Sequence, residues 1–291
     1  MTTIDAPPRR RNRPTAGVGR VLVWPGGSLW IGHHVGDVPE HAHHAIQVSL
    51  AFERPFRIRA GGWADAIGTM SAVVMPDQRH ALAGGGASVA TLFVEPNSLS
   101  GAAIRQRFAS LDIGWLDPGE AALAVAPLRD HFVSGSSDAV LAQHARAAIC
   151  RIAGEPGTAP RADPRITAAL AWMRARLPTP LRLGDVADAV HLSPGRFRHL
   201  FVAQTGTSFR AWLLWARAEA AIEAANRGTP WSDAAQAAGF ADAAHLTRTC
   251  RRVFGIAPTM LVFTPPAVAA TPKPPSRVRV PIRLSARARM R

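Results

Sequence analysis

Hydrophobic and polar positions alternate along the first third of this chain and recur at helical spacing thereafter. Ile46, Val48, Leu50 and Phe52 alternate with Gln47, Ser49 and Ala51, the period of a strand with one buried face. Phe56–Ala60, Ser71–Met75 and Ser88–Glu95 are further strand candidates, separated by turn formers such as Ala60-Gly-Gly62 and Pro76-Asp77. Short strands so spaced between about Arg20 and Glu95 predict a β-sandwich or small jelly-roll barrel. The period then changes. Ser98–Leu111, Gly119–Val133 and Asp138–Ala153 read as helices, the last with Val140, Leu141, Ala145, Ala148 and Ile149 on one stripe. Gly154-Glu-Pro-Gly-Thr-Ala-Pro160 reads as a linker, and Asp163-Pro164 opens a helix through Ile166, Leu170 and Met173.

The last third carries one pattern twice. Asp185, Ala187 and Leu192 correspond to Asp233, Ala235 and Phe240, 48 residues on. Past a tight turn, Phe197, Phe201 and Gly206 correspond to Leu246, Cys250 and Gly255, 49 residues on. Each copy reads as a supporting helix (Leu183–Val190, then Asp233–Ala238) followed by an amphipathic second helix, the form that enters a DNA major groove. In the first copy Ser193-Pro194 supplies an N-cap and a first-turn proline. Leu192, Phe197, Leu200 and Phe201 point inward there, leaving Gly195, Arg196, Arg198 and His199 outward. In the second copy, Ala243–Phe254 turns Leu246, Cys250 and Val253 inward and Ala243, Ala244, His245, Thr247 and Arg248 outward.

The base-reading candidates are therefore Arg196, Arg198, His199, His245, Thr247 and Arg248. Arginine suits that role because its guanidinium forks onto guanine O6 and N7. Ser193, Arg251 and Arg252 are candidates for phosphate contacts. Between the copies, Phe209–Asn226 is rich in Ala and Trp and predicts one connecting helix. Such a strut would set the two second helices in successive major grooves, about 34 Å apart.

Charge sharpens this division. The formal net charge is +14, but five Arg against one acid in residues 1–20 and seven Lys/Arg against none in 265–291 supply 11 of it. Residues 21–160 are net −3 and 161–264 net +6, so the excess that suits nucleic acid lies in the second half. The organisation expected is a disordered basic tail (1–20), a strand-rich domain with trailing helices (21–153), a linker (154–162), an all-α domain (163–264) and a disordered Pro/Arg-rich tail (265–291). Two cysteines, Cys150 and Cys250, are too few for a disulfide scaffold and are expected as buried thiols. No apolar run has the length of a membrane span and no apolar segment follows the basic start, so a cytoplasmic location away from membranes is expected.

Residues 166–264 resemble the DNA-binding domain of AraC/XylS-type transcriptional regulators. The resemblance is carried by Leu192-Ser-Pro-Gly-Arg-Phe-Arg-His-Leu-Phe201, by Thr205-Gly-Thr-Ser-Phe209, and by Ala238-Gly-Phe-Ala-Asp-Ala-Ala-His-Leu-Thr-Arg248 with Phe254-Gly-Ile-Ala-Pro258. It implies a seven-helix domain with two helix-turn-helix units, and base-facing positions at Gly195, Arg198, His199, Ala243, Ala244, Thr247 and Arg248. Ala244 stands where serine is usual, and Cys250 where phenylalanine is common.

Six of the eleven histidines fall between residues 33 and 80: His33, His34, His41, His43, His44 and His80. His41 and His43, two apart, would share one strand face. With His80 they resemble the His-x-His…His set of a cupin, which implies a transition metal inside a barrel. The cupin glutamate position is occupied by Gln47, however, and the cupin glycine by Arg54. His41, His43, His80 and Gln47 are accordingly read as an effector pocket, with no metal and no cofactor expected.

The fold class expected is α+β multidomain, a cupin-like N-terminal barrel or jelly roll followed by an all-α domain with two helix-turn-helix units. The function expected is an effector-responsive, sequence-specific DNA-binding transcriptional regulator with no catalytic residues. Its expected partners are double-stranded operator or promoter DNA, a small-molecule effector, RNA polymerase if it activates, and a second copy through the helices of 98–153. The alternative is a metal-dependent cupin enzyme fused to a DNA-binding module.

Overall fold

The computed structural model describes residues 17–34, 36–60, 65–154 and 163–264. The tails up to residue 16 and from 265, and the linker at 155–162, lie outside the described residues. The strands run β1 (Gly17–Trp24), β2 (Gly27–His34), β3 (Asp37–His41), β4 (Ile46–Ala51), β5 (Phe56–Arg59), β6 (Ile67–Thr69), β7 (Ser71–Val74), β8 (His80–Ala83), β9 (Ser88–Val94), β10 (Ile113–Gly114) and β11 (Leu261–Phe263). The helices are α1 (Leu99–Arg107), α2 (Pro118–Val133), α3 (Asp138–Ala153), α4 (Pro164–Arg174), α5 (Leu183–Ala189), α6 (Pro194–Thr205), α7 (Phe209–Asn226), α8 (Trp231–Ala237) and α9 (Ala243–Phe254). One 3-10 turn, Pro258–Met260, leads into β11.

Two sheets face each other, one in the order β10-β7-β4-β9-β2-β1-β11 and the other β3-β8-β5-β6. The alternation in β4 is real, but both of its faces are buried rather than one. Ile46, Val48 and Leu50 join Leu29 and Leu92 in a core closed by Leu128, Leu141 and Ile149 from α2 and α3. The polar face, Gln47 and Ser49, looks into the space between the sheets, where Ser49 Oγ lies 3.3 Å from Thr91 Oγ1. An outer helical layer therefore covers the face that a lone sandwich would leave wet.

Residues 17–20 belong to this sheet and not to a tail. They form the first half of β1, and Arg20 is buried against the far end of the helical layer. Its guanidinium donates to Ser136 O at 2.6 Å and pairs with the Asp138 carboxylate. Cys250 is buried, and burial pushes its thiol up to about 12, whereas Cys150 is exposed. Cys150 lies one position past the buried Ile149 and two before Ile152, which turns it to the solvent side of α3.

The duplication appears in the backbone as well as in the sequence. α5 and α8 have seven residues each, and α6 and α9 have twelve. The turn positions His191 and Gly239 both take the left-handed conformation, at φ 56° and 85°. Ser193 and Asp242 cap the second helices, and Gly206 and Gly255 end them at φ 72° and 73°. Sequence corresponds to geometry at every one of these positions.

The two halves do not keep separate cores. One cluster joins Val21, Ala45 and Phe93 of the barrel to Trp215, Ala218 and Ile222 of α7 and to Leu246, Cys250 and Phe254 of α9. Phe254 packs 4.7 Å from the Trp30 ring and 4.6 Å from Trp215. β11 then pairs parallel with β1, Gly17 to Leu261 through Gly19 to Phe263, so the last described strand extends the barrel's own sheet. Each large apolar side chain buried here contributes roughly 1.5–3 kcal/mol, so separating the halves is costly. α4 to α6 and the start of α7 form a second cluster around Ile166, Met173, Phe197, Phe201 and Trp212 that contains no barrel residue.

Candidate functional site

The outward face of α6 is open. Gly195, Arg196, Arg198 and His199 are all exposed, while Phe197 and Phe201 anchor the other side. The Ser193 hydroxyl accepts from Arg196 N at 3.4 Å and fixes where the helix begins. That leaves two guanidinium groups in the first turn and a half, beside backbone N–H groups with no helical acceptor. The end of this helix combines fixed geometry with positive charge.

α9 presents a thinner set. Ala244, Arg248, Arg251 and Arg252 are exposed, but Ala243, His245 and Thr247 are half-buried. The His245 ring stands edge-on to Phe240 at 5.1 Å, and the Thr247 hydroxyl donates to Ala243 O at 2.8 Å. Both side chains thus have intramolecular partners. Arg252 lines a cleft with Arg210, Thr207 and Ser208 against His43, His44 and Asp77 of the barrel, one turn further along the helix than Arg248. α7 spans Phe209–Asn226 as one helix, about 27 Å at 1.5 Å per residue.

α7 is more than a spacer between the units. Its Glu219 is buried and accepts from Ser28 Oγ of β2 at 2.7 Å; burial pushes this carboxyl up to about 7. Asn226 Nδ2 donates to Val21 O at 3.0 Å. Glu95, at the end of β9, accepts from Arg174 Nη2 at 2.9 Å and Trp212 Nε1 at 3.1 Å, with His44 Nε2 at 3.7 Å. Burial would raise the Glu95 carboxyl, but His44, Arg174 and Trp212 together more than offset this and hold it below its ordinary value. Sequence reading did not single out Glu95 or Glu219. The available signal was an acid, Glu219, set among the Ala and Trp residues of α7, which also carries Glu223.

The histidines converge at the same seam. β3 ends at His41, so His43 stands on the connection to β4 and not on a shared strand face. Even so, His41, His43 and His80 are all buried, with one ring nitrogen from each within 4.8 Å of the others. His41 Nδ1 lies 2.9 Å from Pro39 O, His43 Nδ1 2.9 Å from Ala45 O, and His80 Nδ1 2.9 Å from Gln78 O. The Gln47 amide reaches His43 Nε2 at 3.1 Å and His80 Nε2 at 3.2 Å. Burial, with His80 adding charge repulsion, lowers His41 to about 4 and His43 well below its usual value; burial likewise lowers His80. The four predicted effector-pocket residues therefore form one cluster of neutral imidazoles around an amide.

A cavity of about 90 Å³ opens beside this cluster. His41, Gln47, Thr91 and Phe93 line it from the barrel, and Phe254, Ile256 and Phe263 from the end of α9 and the segment after it. Gly255 allows that approach. A Cβ at this position would lie 2.7 Å from Pro39 O and 2.8 Å from His41 Nδ1.

The fold defines a protein with two helix-turn-helix units, the second docked on a β-barrel. Residues 186–262 match the family profile described as a helix-turn-helix domain. Among solved structures, the apo form of a single-substitution variant of ToxT from Vibrio cholerae strain SCE256 is similar over 80% of this chain and 96% of its own, with TM-score 0.54 and 10% identity. That likeness concerns the fold of both halves. ToxT from Vibrio cholerae O395 aligns over 81% of this chain and 96% of its own, with TM-score 0.49 and 10% identity. A transcriptional regulator from Chromobacterium violaceum, described as having an AraC-type DNA-binding domain, aligns over 33% of this chain and 87% of its own, at 28% identity and TM-score 0.32. No curated protein matches significantly. These comparisons give no support to the cupin-enzyme alternative. Among the described residues, no helix is long and apolar enough to cross a membrane.

Proposed function

We propose that the chain is a cytoplasmic, sequence-specific transcriptional regulator whose barrel senses an effector and passes its state to the second helix-turn-helix unit. The observation that carries this reading is the shared wall of the barrel cavity, where Phe254, Ile256 and Phe263 of the DNA-binding half face His41, Gln47 and Phe93. A ligand there touches both halves at once, so any difference in its contacts between docked and undocked states becomes a coupling free energy between ligand and DNA. Arg196, Arg198 and His199 read bases from α6, and Arg248, with lesser contributions from His245 and Thr247, from α9. Ser193, Arg251 and Arg252 contact phosphates, Arg252 doing so once the seam cleft opens.

Promoter DNA is the partner class, with RNA polymerase if the outcome is activation. Leu99, Leu123 and Val133, all exposed on the helical layer, support that layer as the face met by a second copy. Selection of duplexes from a random pool by the full chain tests the central reading. We expect one enriched motif with two segments about one helical turn apart, and retention by the full chain in excess random competitor. Equal binding to all sequences at physiological salt overturns it.

A further inference from the structure

The three histidine rings are oriented by their own backbone. A nitrogen 2.9 Å from a carbonyl oxygen must carry the hydrogen, so His41, His43 and His80 each donate Nδ1–H, to Pro39, Ala45 and Gln78. Every neutral ring then presents Nε2 as an acceptor lone pair. This is the arrangement in which metal-ligating histidines are held, one nitrogen tied to a carbonyl and the other aimed at the ion. Because the Nε2 atoms of His43 and His80 are acceptors, the end of the Gln47 amide facing them is its NH2, the two ends being interchangeable in a hydrogen-bond assignment. The His41 ring bonds through Nδ1 alone among the described residues. With Nδ1 tied back in each ring, Nε2 is the nitrogen left to the cluster in which one ring nitrogen of each histidine lies within 4.8 Å of the others.

We propose that Nε2 of His41, His43 and His80 form a three-imidazole site for a divalent transition-metal ion, and that this ion is the effector read by the second helix-turn-helix unit. The first half stands on the ring geometry; the second rests on the effector-responsive reading above. Imidazole donors without a carboxylate suit zinc, nickel, cobalt or copper and reject magnesium and calcium, which take oxygen. Three protein ligands leave at least one position to water or, after rotation, to the Gln47 carbonyl. One ring nitrogen of each histidine lies within 4.8 Å of the others, and bonds of about 2.0–2.1 Å hold two donors of one ion no more than about 4.2 Å apart, so binding draws together any pair that stands wider. His41 and Gln47 border the cavity, which supplies an access route.

That contraction has a direct recipient. The place of a Gly255 Cβ is 2.8 Å from His41 Nδ1, and the His43 ring is 5.4 Å from Trp215 on α7. Gly255 ends the second recognition helix, and Trp215 packs against Phe254. A shift of His41 or His43 toward an ion therefore changes the seat of α9 directly, while α6 rests on an apolar core without barrel residues, which meets the barrel through the Glu95 bonds to Arg174 and Trp212.

The test uses the tag-free full chain, stripped with chelator and titrated with Co2+ and then Ni2+. One equivalent per chain is expected, with Co2+ giving the visible absorption of a nitrogen-ligated site. His80→Gln should weaken binding at least tenfold. Gln47→Glu, which adds a carboxylate within reach of two ligands, should tighten it at least tenfold; this gain requires a folded barrel. Affinity for a duplex selected by the chain should shift at least fivefold on adding Ni2+, and at lower Ni2+ in Gln47→Glu. Failure of both the unchanged chain and Gln47→Glu to bind stoichiometrically overturns the site, as does binding that His80→Gln leaves intact. Stoichiometric binding without any change in DNA affinity overturns the effector half. If DNA affinity responds instead to an apolar organic ligand in the cavity, the metal proposal falls and the effector-responsive regulator stands.

Discussion

The two helix-turn-helix units share one backbone and differ in what stands behind them. The first closes on its own core of Ile166, Phe197, Phe201 and Trp212, and its α6 presents Arg196, Arg198 and His199 to solvent. The second has no complete core of its own. Leu246, Cys250 and Phe254 share theirs with Val21 and Phe93 of the barrel, and two of its outward side chains are held by intramolecular contacts. Duplicated geometry thus serves two tasks. In the proposed function the first unit reads bases with its exposed arginines, and the second answers to the barrel it is packed against.

The largest effect should come from the two helix-ending glycines, Gly206 and Gly255. Both sit at left-handed φ, where a side chain costs roughly 1–2 kcal/mol. A Cβ at Gly206 meets nothing within 4 Å, whereas at Gly255 it strikes Pro39 O and His41. Gly206→Val should lose only the backbone part in urea unfolding. Gly255→Val should lose about 1–3 kcal/mol more from overpacking. Equal losses in the two variants would remove the asymmetry between the units.

Glu219 tests the docked side by pH. Its folded pKa, about 7, lies above its unfolded value near 4.5. The native state therefore keeps a proton that the unfolded chain releases, and stability falls as pH rises through that window. Glu219→Gln removes the cost, so it should be more stable than the unchanged chain by about 3 kcal/mol at pH 8 and equal to it at pH 4. A variant no more stable at pH 8 would mean that the carboxylate is accommodated without cost at the seam.

The DNA side separates the units on a smaller scale. Arg198→Ala should cost about 1–3 kcal/mol of discrimination at one base pair, measured by anisotropy on single-substitution duplexes. Thr247→Ala, whose hydroxyl is already spent on Ala243 O, should change preference by under about 0.5 kcal/mol. Uniform loss on every sequence in Arg198→Ala would make it a phosphate contact. A large shift in Thr247→Ala would give α9 a reading role equal to that of α6.

What could be read in the chain was local. α3, α7 and α9 run over the same residues that their periodicity predicts, Ser193 and Asp163 cap as their sequence demands, and the 48- and 49-residue offsets reappear as matched turns and caps. These depend on contacts three or four residues apart, which composition and spacing encode directly. Arg20, Glu95, Glu219 and Gly255 were not legible in the same way. Arg20 meets Asp138, Glu95 meets Trp212, and Ser28 meets Glu219 across more than a hundred residues each. Nor does spacing tell that Gln47 faces two imidazoles, since His80 is 33 residues away. The amino-acid order alone determined the element types and the repeated unit. Only the packing of barrel against strut decided which unit is held, because desolvation and close contact arise between segments that the chain keeps far apart.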